Sequence, residues 1–335
     1  MQVPQFDGVV TPAAEVAVDM LFVPVFQDEG DGPLNAIPGL ESASAGWIAQ
    51  VRASGEFRAK AYEFFIVPVA GSWKATRIAL VGAGRRADLT SERLRMIAAS
   101  CGYTARLRGV TSAAVLIREG FDPVATAAIM ADGLSAAEFE IGIYKADRTT
   151  EGRYPAKLVV VAPGAGLAEV RAAVARGRVI GEAANQARAL ANEPANVLSP
   201  REFAARVAAM GTAAGLTVDV LEESRLRELK MGLLLGVAQG SVEPARLVVL
   251  RYEPKGTAGG PVIGLVGKGV TFDTGGISIK PAEGMDRMKN DMAGGAAVAA
   301  AICAIARLGG RHRVLGVIPM VENMPGGKAI RPGDV

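Results

Sequence analysis

The chain has 335 residues, 50% of them hydrophobic and 21% charged, enough for about two domains and too apolar for a disordered segment. Thirty-seven basic against 34 acidic residues leave a net charge of +3, with no run of five like charges to mark a nucleic-acid surface. The longest small and apolar run, Ala293 to Ala306, is well short of the roughly 18 residues that suggest a membrane span. Met1 to Asp7 lacks the basic and apolar regions of a secretory signal, and the two cysteines, Cys101 and Cys303, argue against a disulfide framework. The expected location is cytoplasmic.

In chain order, apolar runs predict strands at Val16–Phe26, Arg77–Val81, Ala113–Ile117 and Leu158–Ala162. Helical patterns fall between them at Ser91–Ser100 and Pro123–Ala137. This alternation implies a parallel or mixed sheet covered on both faces, over residues 1–160. A long helix, Leu167–Ala191, places Val170, Val174, Gly177, Gly181 and Ala184 at three- and four-residue spacing and reads as a linker over 161–195. It is broken by Asn192-Glu193-Pro194-Ala195-Asn196, because proline has no N–H to donate and disfavours helix in the residue before it. A second α/β domain is expected over 196–335, with helices Pro200–Ala214 and Glu222–Lys230 and strands Leu216–Leu221, Leu247–Tyr252, Val262–Val266 and Val314–Val321. The last strand runs into Pro325-Gly326-Gly327 and Arg331-Pro332-Gly333-Asp334 without a closing element, the expectation for a truncated domain.

One histidine, His312, restricts the chemistry most. Zinc sites built on paired histidines cannot be assembled, and a Ser-His-Asp triad would have to use His312. A hydrolase of this composition would rely on carboxylates and lysines. The candidate segment is Val266-Gly267-Lys268-Gly269-Val270-Thr271-Phe272-Asp273-Thr274-Gly275-Gly276, continuing to Lys280-Pro281. It follows a strand that reads as fully buried and so places Lys268 where open α/β sheets hold ligands. Gly267-Lys268 is not a phosphate-binding P-loop, since Val262 and Gly269 stand where Gly and Ser/Thr are required. Gly82-x-Gly84 is a fragment of a dinucleotide fingerprint, with Ala87 at the third glycine position.

A second cluster, Met285-Asp286-Arg287-Met288-Lys289-Asn290-Asp291-Met292-Ala293-Gly294-Gly295, leads into an alanine-rich helix. Taken singly, Asp291 reads as the N-cap of that helix, Asp273 as a turn residue, Met288 as core, and Lys268 and Lys280 as solvated charges. Taken together, two lysines and two aspartates among glycines, beside a buried strand, need partners or metal ions. A carboxylate-rich site with one amine ligand would suit two divalent cations.

These residues resemble the leucine (cytosol) aminopeptidase family through the ordered combination Val266–Gly276, Lys280-Pro281, Gly284–Lys289 and Asp291–Gly294. Asn192–Asn196, Gly236–Ser241, Val321-Glu322-Asn323-Met324-Pro325 and Arg331–Asp334 support it. The resemblance implies an N-terminal macro-like α/β domain and a C-terminal α/β metallopeptidase domain with a mixed central sheet covered by helices. It implies a cytoplasmic, hexameric aminopeptidase that uses two Mn²⁺ or Zn²⁺ ions to release leucine and other apolar residues from the N-termini of peptides. Asp273 would bridge the metals, Lys268 and Asp291 would bind the tighter one, Lys280 would stabilise the oxyanion, and Met288 would line the first side-chain pocket.

The family's later Asn-Thr-Asp-Ala-Glu-Gly-Arg motif, with two further ligands and an arginine, does not occur before Val335, and Asp334 is no substitute for it. The 335-residue chain is therefore expected to be inactive or very weak. The alternative is a non-catalytic binding protein on the same scaffold; some relatives bind DNA, although no basic cluster here favours it.

Overall fold

The computed structural model describes residues 4–30, 34, 36–146, 154–332 and 334. The chain divides into two units, Met1–Glu182 and Ala183–Val335.

The first unit is built on a six-stranded sheet of β1 (Gln5–Val9), β2 (Met20–Val25), β3 (Phe64–Pro68), β4 (Arg77–Gly82), β5 (Ser112–Leu116) and β6 (Lys157–Val161), in the spatial order β1-β6-β5-β2-β4-β3. Every pairing is parallel except β3 with β4. All six residues of β2 are buried because both of its faces are covered, so its sequence is a continuous apolar run rather than an alternation.

Period-two geometry divides those residues between two cores. Met20 and Phe22 pack with Ile97, Cys101, Met130, Leu134 and Val174 from α3 (Ser91–Leu107), α4 (Pro123–Ala136) and α5 (Leu167–Asn192). Leu21 and Val23 pack with Leu40, Ile48 and Val51 from the short helices α1 (Leu40–Ala43) and α2 (Trp47–Ser54) on the other face.

Helix starts follow local chemistry. Thr90 caps α3 by accepting the Arg93 N–H, and Asp122 caps α4 by accepting those of Val124 and Ala125, with Pro123 in the first turn. Helix α3 runs seven residues beyond the expected Ser100, and the expected strand Val16–Phe26 shortens to Met20–Val25 after a 3-10 turn at Ala13–Glu15.

The second unit holds α6 (Pro200–Ala213), β7 (Thr217–Glu222), α7 (Glu223–Glu228), α8 (Gly232–Ala238), β8 (Arg246–Tyr252), β9 (Val262–Val266), β10 (Gly269–Asp273), α9 (Ala293–Arg307) and β11 (Arg313–Asn323). The sheet runs β10-β11-β8-β7, and β9 also pairs with β11. Strand β11 is the spine. It is antiparallel to β8 along one edge and parallel to β9 and then β10, end to end, along the other.

Residues 313–317 pair with β9 and 320–323 with β10, which leaves Pro319 at the seam. Val317 accepts the Gly267 N–H, and residues two apart on a strand face the same edge. The missing N–H of Pro319 therefore falls where no ladder partner is required, which is how a proline fits inside a central strand. Phe203, Val207, Val248, Leu250, Met292, Ala296, Ile302, Ile318 and Met320 form the main core beneath α6 and α9.

The expectation of a buried β9 is not met. Val262, Ile263 and Val266 are 47%, 48% and 77% exposed; β9 pairs with β11 along one edge, and it is Leu265 of this strand that packs, partly buried, against the main core. The apolar run correctly identifies a strand but not its burial.

Candidate metal and catalytic site

Gly267 and Lys268 form the joint between β9 and β10. A Cβ at Gly267 would lie 2.5 Å from the Gly294 carbonyl oxygen and 2.7 Å from Gly295 Cα, so only glycine lets the joint approach the start of α9 this closely. The Gly295 N–H donates to Lys268 O at 2.7 Å, tying the two segments together. In consequence Lys268 Nζ lies 2.9 Å from Asp291 Oδ2.

Asp291 does not cap α9, contrary to its reading from spacing alone. The cap position is Met292, with no side-chain hydrogen bond, and Asp291 ends a 3-10 turn over Met285–Asn290, where its N–H donates to Met288 O. Its carboxylate is turned to Lys268 instead. Although Oδ2 is buried and ion-paired by distance, it receives no hydrogen bond of acceptable direction. Half-buried Met288 lies in the same turn.

At the far end of β10, Asp273 pairs in register with Asn323 of β11. Asp273 Oδ1 accepts the Gly275 N–H at 2.9 Å and Asn323 Nδ2 at 2.7 Å, while Lys280 Nζ makes a close ion pair with Oδ2 and donates to the Asp273 carbonyl at 3.1 Å. Thr274 donates its N–H to Asn323 O, and its own carbonyl accepts the Lys280 N–H, folding 274–280 back over the carboxylate. Burial alone would raise the Asp273 pKa, but the bonds from Lys280, Gly275 and Asn323 outweigh it and hold the carboxyl below its ordinary value.

The four charged residues singled out in the sequence therefore form two ion pairs, Lys268–Asp291 and Lys280–Asp273. Among the described residues no three His, Cys, Asp or Glu side chains gather closely enough to hold a metal ion. Lys268 and Asp291 bring one amine and one carboxylate together, Asp273 stands with Lys280 at the other end of β10, and the undirected Oδ2 of Asp291 is an acceptor suited to a cation.

Asn323 was not singled out individually from the sequence. Its signal was its place in Val321–Pro325, beside the carboxyl end of β10. Next to it, Glu322 Oε2 accepts a hydrogen bond from Ser241 Oγ at 2.5 Å, so the Gly236–Ser241 motif supports the same strand end. Lys289 Nζ donates to Asn192 O, and Glu193 pairs with Arg206, which gives structural roles to the motif after α5. Asp334 pairs locally with Arg331; Gly333 and Val335 of that segment lie outside the described residues. His312 lies exposed in the turn before β11.

The Gly82-x-Gly84 fragment is no dinucleotide cradle. A Cβ at Gly82 would lie 1.9 Å from Lys60 O, so this glycine serves close backbone packing, and the chain continues into a 3-10 turn at Arg86–Asp88 rather than directly into a helix.

Two family models match the chain, the cytosol aminopeptidase family N-terminal domain over residues 22–148 and the catalytic domain over 185–335. The chain belongs to the cytosol aminopeptidase family. A probable cytosol aminopeptidase of Solibacter usitatus is 40% identical over 324 residues, covering 97% of this chain and 64% of the relative. One from Acidobacterium capsulatum is 42% identical over 291 residues, covering 86% and 57%. The chain thus spans less than two thirds of the length of these relatives. The bottromycin maturation enzyme BotP in complex with Mn superposes with a TM-score of 0.78 at 32% identity, over 95% of this chain and 63% of that one. A mutant tomato leucine aminopeptidase shares the fold, with a TM-score of 0.85 at 22% identity over 99% and 65%. No helix among the described residues is long and apolar enough to cross a membrane.

Proposed function

We propose that this chain carries the first part of a dinuclear-metal aminopeptidase site. The observation that carries the proposal is the placement of Lys268 against Asp291 and of Lys280 against Asp273, with a buried Asp291 oxygen that receives no directed hydrogen bond. Membership of the family supports the reaction class, and the Mn named with BotP supports a divalent metal.

Lys268, Asp273 and Asp291 would hold the metal, with Asp273 as the bridging carboxylate. Two divalent ions, Mn²⁺ or Zn²⁺, would supply water activation and carbonyl polarisation when bound. The bonds from Lys280, Gly275 and Asn323 that hold the Asp273 carboxyl below its ordinary pKa also fix its orientation for this role. Lys268 must lose a proton to offer its lone pair, which a neighbouring dication favours.

Lys280 differs in role. Held by the carboxylate and carbonyl of Asp273, it would donate a hydrogen bond to the oxygen that gains charge as water attacks the scissile carbonyl. Met288 offers a flexible thioether to the first side chain of a peptide, with leucine and other apolar residues as the preferred class. Hexamer formation and a cytosolic setting belong to the same reading.

For this polypeptide, with no third carboxylate beside Asp273 and Asp291 among the described residues, the proposal is metal binding with little or no turnover. Calorimetric titration of Mn²⁺ tests it. Asp273→Ala should abolish saturable binding, whereas an unchanged titration would favour a binding protein that retains only the scaffold. Strong release of leucine from leucine amide by the 335-residue chain would refute the expected inactivity.

A further inference from the structure

The first unit contains a cavity of about 430 Å³ unrelated to the charged pairs of the second. It opens at the carboxyl ends of the parallel strands. After β2 the chain turns toward β3 and β4, whereas after β5 it turns the other way toward β6, so the loops leaving β2 and β5 diverge and leave a crevice between them. Open α/β sheets bind ligands at such switch points because the diverging loops leave backbone and side chains facing a hollow.

The walls are mostly apolar, with Pro12, Ile37, Leu116, Ile117, Phe121 and Pro163 among them. Three charged residues also line the cavity: Arg86, Arg118 and Glu119. Arg118 is committed elsewhere. It is buried and forms a forked pair with Glu29, with contacts of 3.2 and 3.3 Å, while donating to Pro24 O.

Arg86 is not committed in this way. Its guanidinium lies over the Phe26 ring at 4.2 Å and near Phe121 at 5.4 Å, which fixes its plane. It makes a long ion pair with Glu29, at 3.7 Å, but no side chain or carbonyl among the described residues accepts a hydrogen bond from its guanidinium, which leaves its donors available to a ligand. A Cβ at Gly120 would sit 3.7 Å from one of its terminal nitrogens, so the fork lies beside the turn that carries Glu119. Glu119 has no ion pair or hydrogen bond among the described residues, and its distance from Arg86 exceeds the 4.0 Å of a salt bridge. Arg86, ion-paired at 3.7 Å with Glu29, and the exposed Glu119 thus line neighbouring parts of one mostly apolar cavity without pairing with each other.

We propose that this cavity binds the zwitterionic head of an apolar α-amino acid, with Arg86 taking the carboxylate, Glu119 the ammonium and the apolar walls the side chain. A planar guanidinium fork matches a carboxylate by two parallel hydrogen bonds. A single anion would leave Glu119 without a partner, and a nucleotide would leave its ribose hydroxyls against proline and aliphatic carbon. The site goes beyond the proposed hydrolysis and needs no metal, so its test stands apart from the Mn²⁺ titration.

L-Phenylalanine is the probe, followed by amide chemical shifts of residues 116–123 in the metal-free chain. Saturable binding is expected, at least tenfold tighter than that of 3-phenylpropionate, which lacks the ammonium, or of phenethylamine, which lacks the carboxylate. Arg86→Gln should remove the preference over phenethylamine alone, and Glu119→Gln the preference over 3-phenylpropionate alone. Ile37→Trp, which fills the cavity, should abolish binding while leaving both charges in place. No saturable binding of phenylalanine, tighter binding of adenosine monophosphate, or preferences unchanged in the two charge variants would overturn the assignment.

Discussion

Gly267→Ala tests whether the joint between β9 and β10 places Lys268 against Asp291. The new methyl group would lie 2.5 Å from Gly294 O and 2.7 Å from Gly295 Cα, and both obstacles are backbone at the start of α9, which cannot rotate aside. Restoring ordinary contact requires the joint and the helix start to separate by about 1 Å, and overpacking of this kind costs about 1–3 kcal/mol. In a unit of this size each kcal/mol lowers the melting temperature by roughly 2–4 °C, so the second unit should lose about 2–12 °C in calorimetry. The same shift lengthens the 2.9 Å Lys268–Asp291 contact and should weaken Mn²⁺ binding. Gly264→Ala is the control. It lies on the same strand with nothing within 4 Å of its would-be Cβ, and should change neither property by a comparable amount. Equal melting temperatures and equal metal affinity for Gly267→Ala and the parent chain would refute the argument.

Asn323→Ala removes one of the donors that hold the Asp273 carboxyl low, so the Asp273 pKa followed by carboxyl NMR should move upward. The stability that Asp273 contributes is present above the unfolded carboxylate pKa and is lost as pH falls through its lower folded value. Acid unfolding of the second unit should therefore begin at higher pH in Asn323→Ala. Asp19 has its pKa lowered chiefly by the Thr111 hydroxyl, with further bonds from Thr111 N and Ser112 N. By the same sign, Asp19→Asn should flatten the acid limb of the first unit's stability profile, measured by urea unfolding at stepped pH. Asp122→Ala removes the acceptor for Val124 N and Ala125 N and should cost about 0.5–2 kcal/mol in the same assay.

The sequence was most readable where a strand is covered on both sides. Arg77–Val81, Ala113–Ile117 and Leu158–Ala162 were each placed within about a residue, because burial leaves little but apolar side chains there. Strands β1 and β3 were missed because they lie at sheet edges, where half-exposed residues such as Asp7 and Phe64 blur the run. Strand β10 was missed for another reason: Gly269-Val270-Thr271-Phe272-Asp273 looks like an extension of the glycine-rich loop until β11 supplies the partner that makes it a strand.

The site residues were legible as a set, but their pairing was not. Nothing in linear spacing says that Asp291 turns from α9 to Lys268, since that depends on three glycines packing backbone against backbone. The positioning role of Asn323 was hidden similarly, because it arises from registry with Asp273 across 50 residues.

Two short strands laid end to end against one long strand also make β11 a ruler. Lys268 belongs to the gap between the short strands, while Asp273 is fixed by its registry with Asn323 at the ruler's end. A residue inserted in β9 or at the joint would displace the amine and leave the Asp273 carboxylate in place. A residue inserted in β11 before Pro319 would instead turn its inward face outward along half the sheet. A change in reach at the joint would thus alter one pair of charges without disturbing the other.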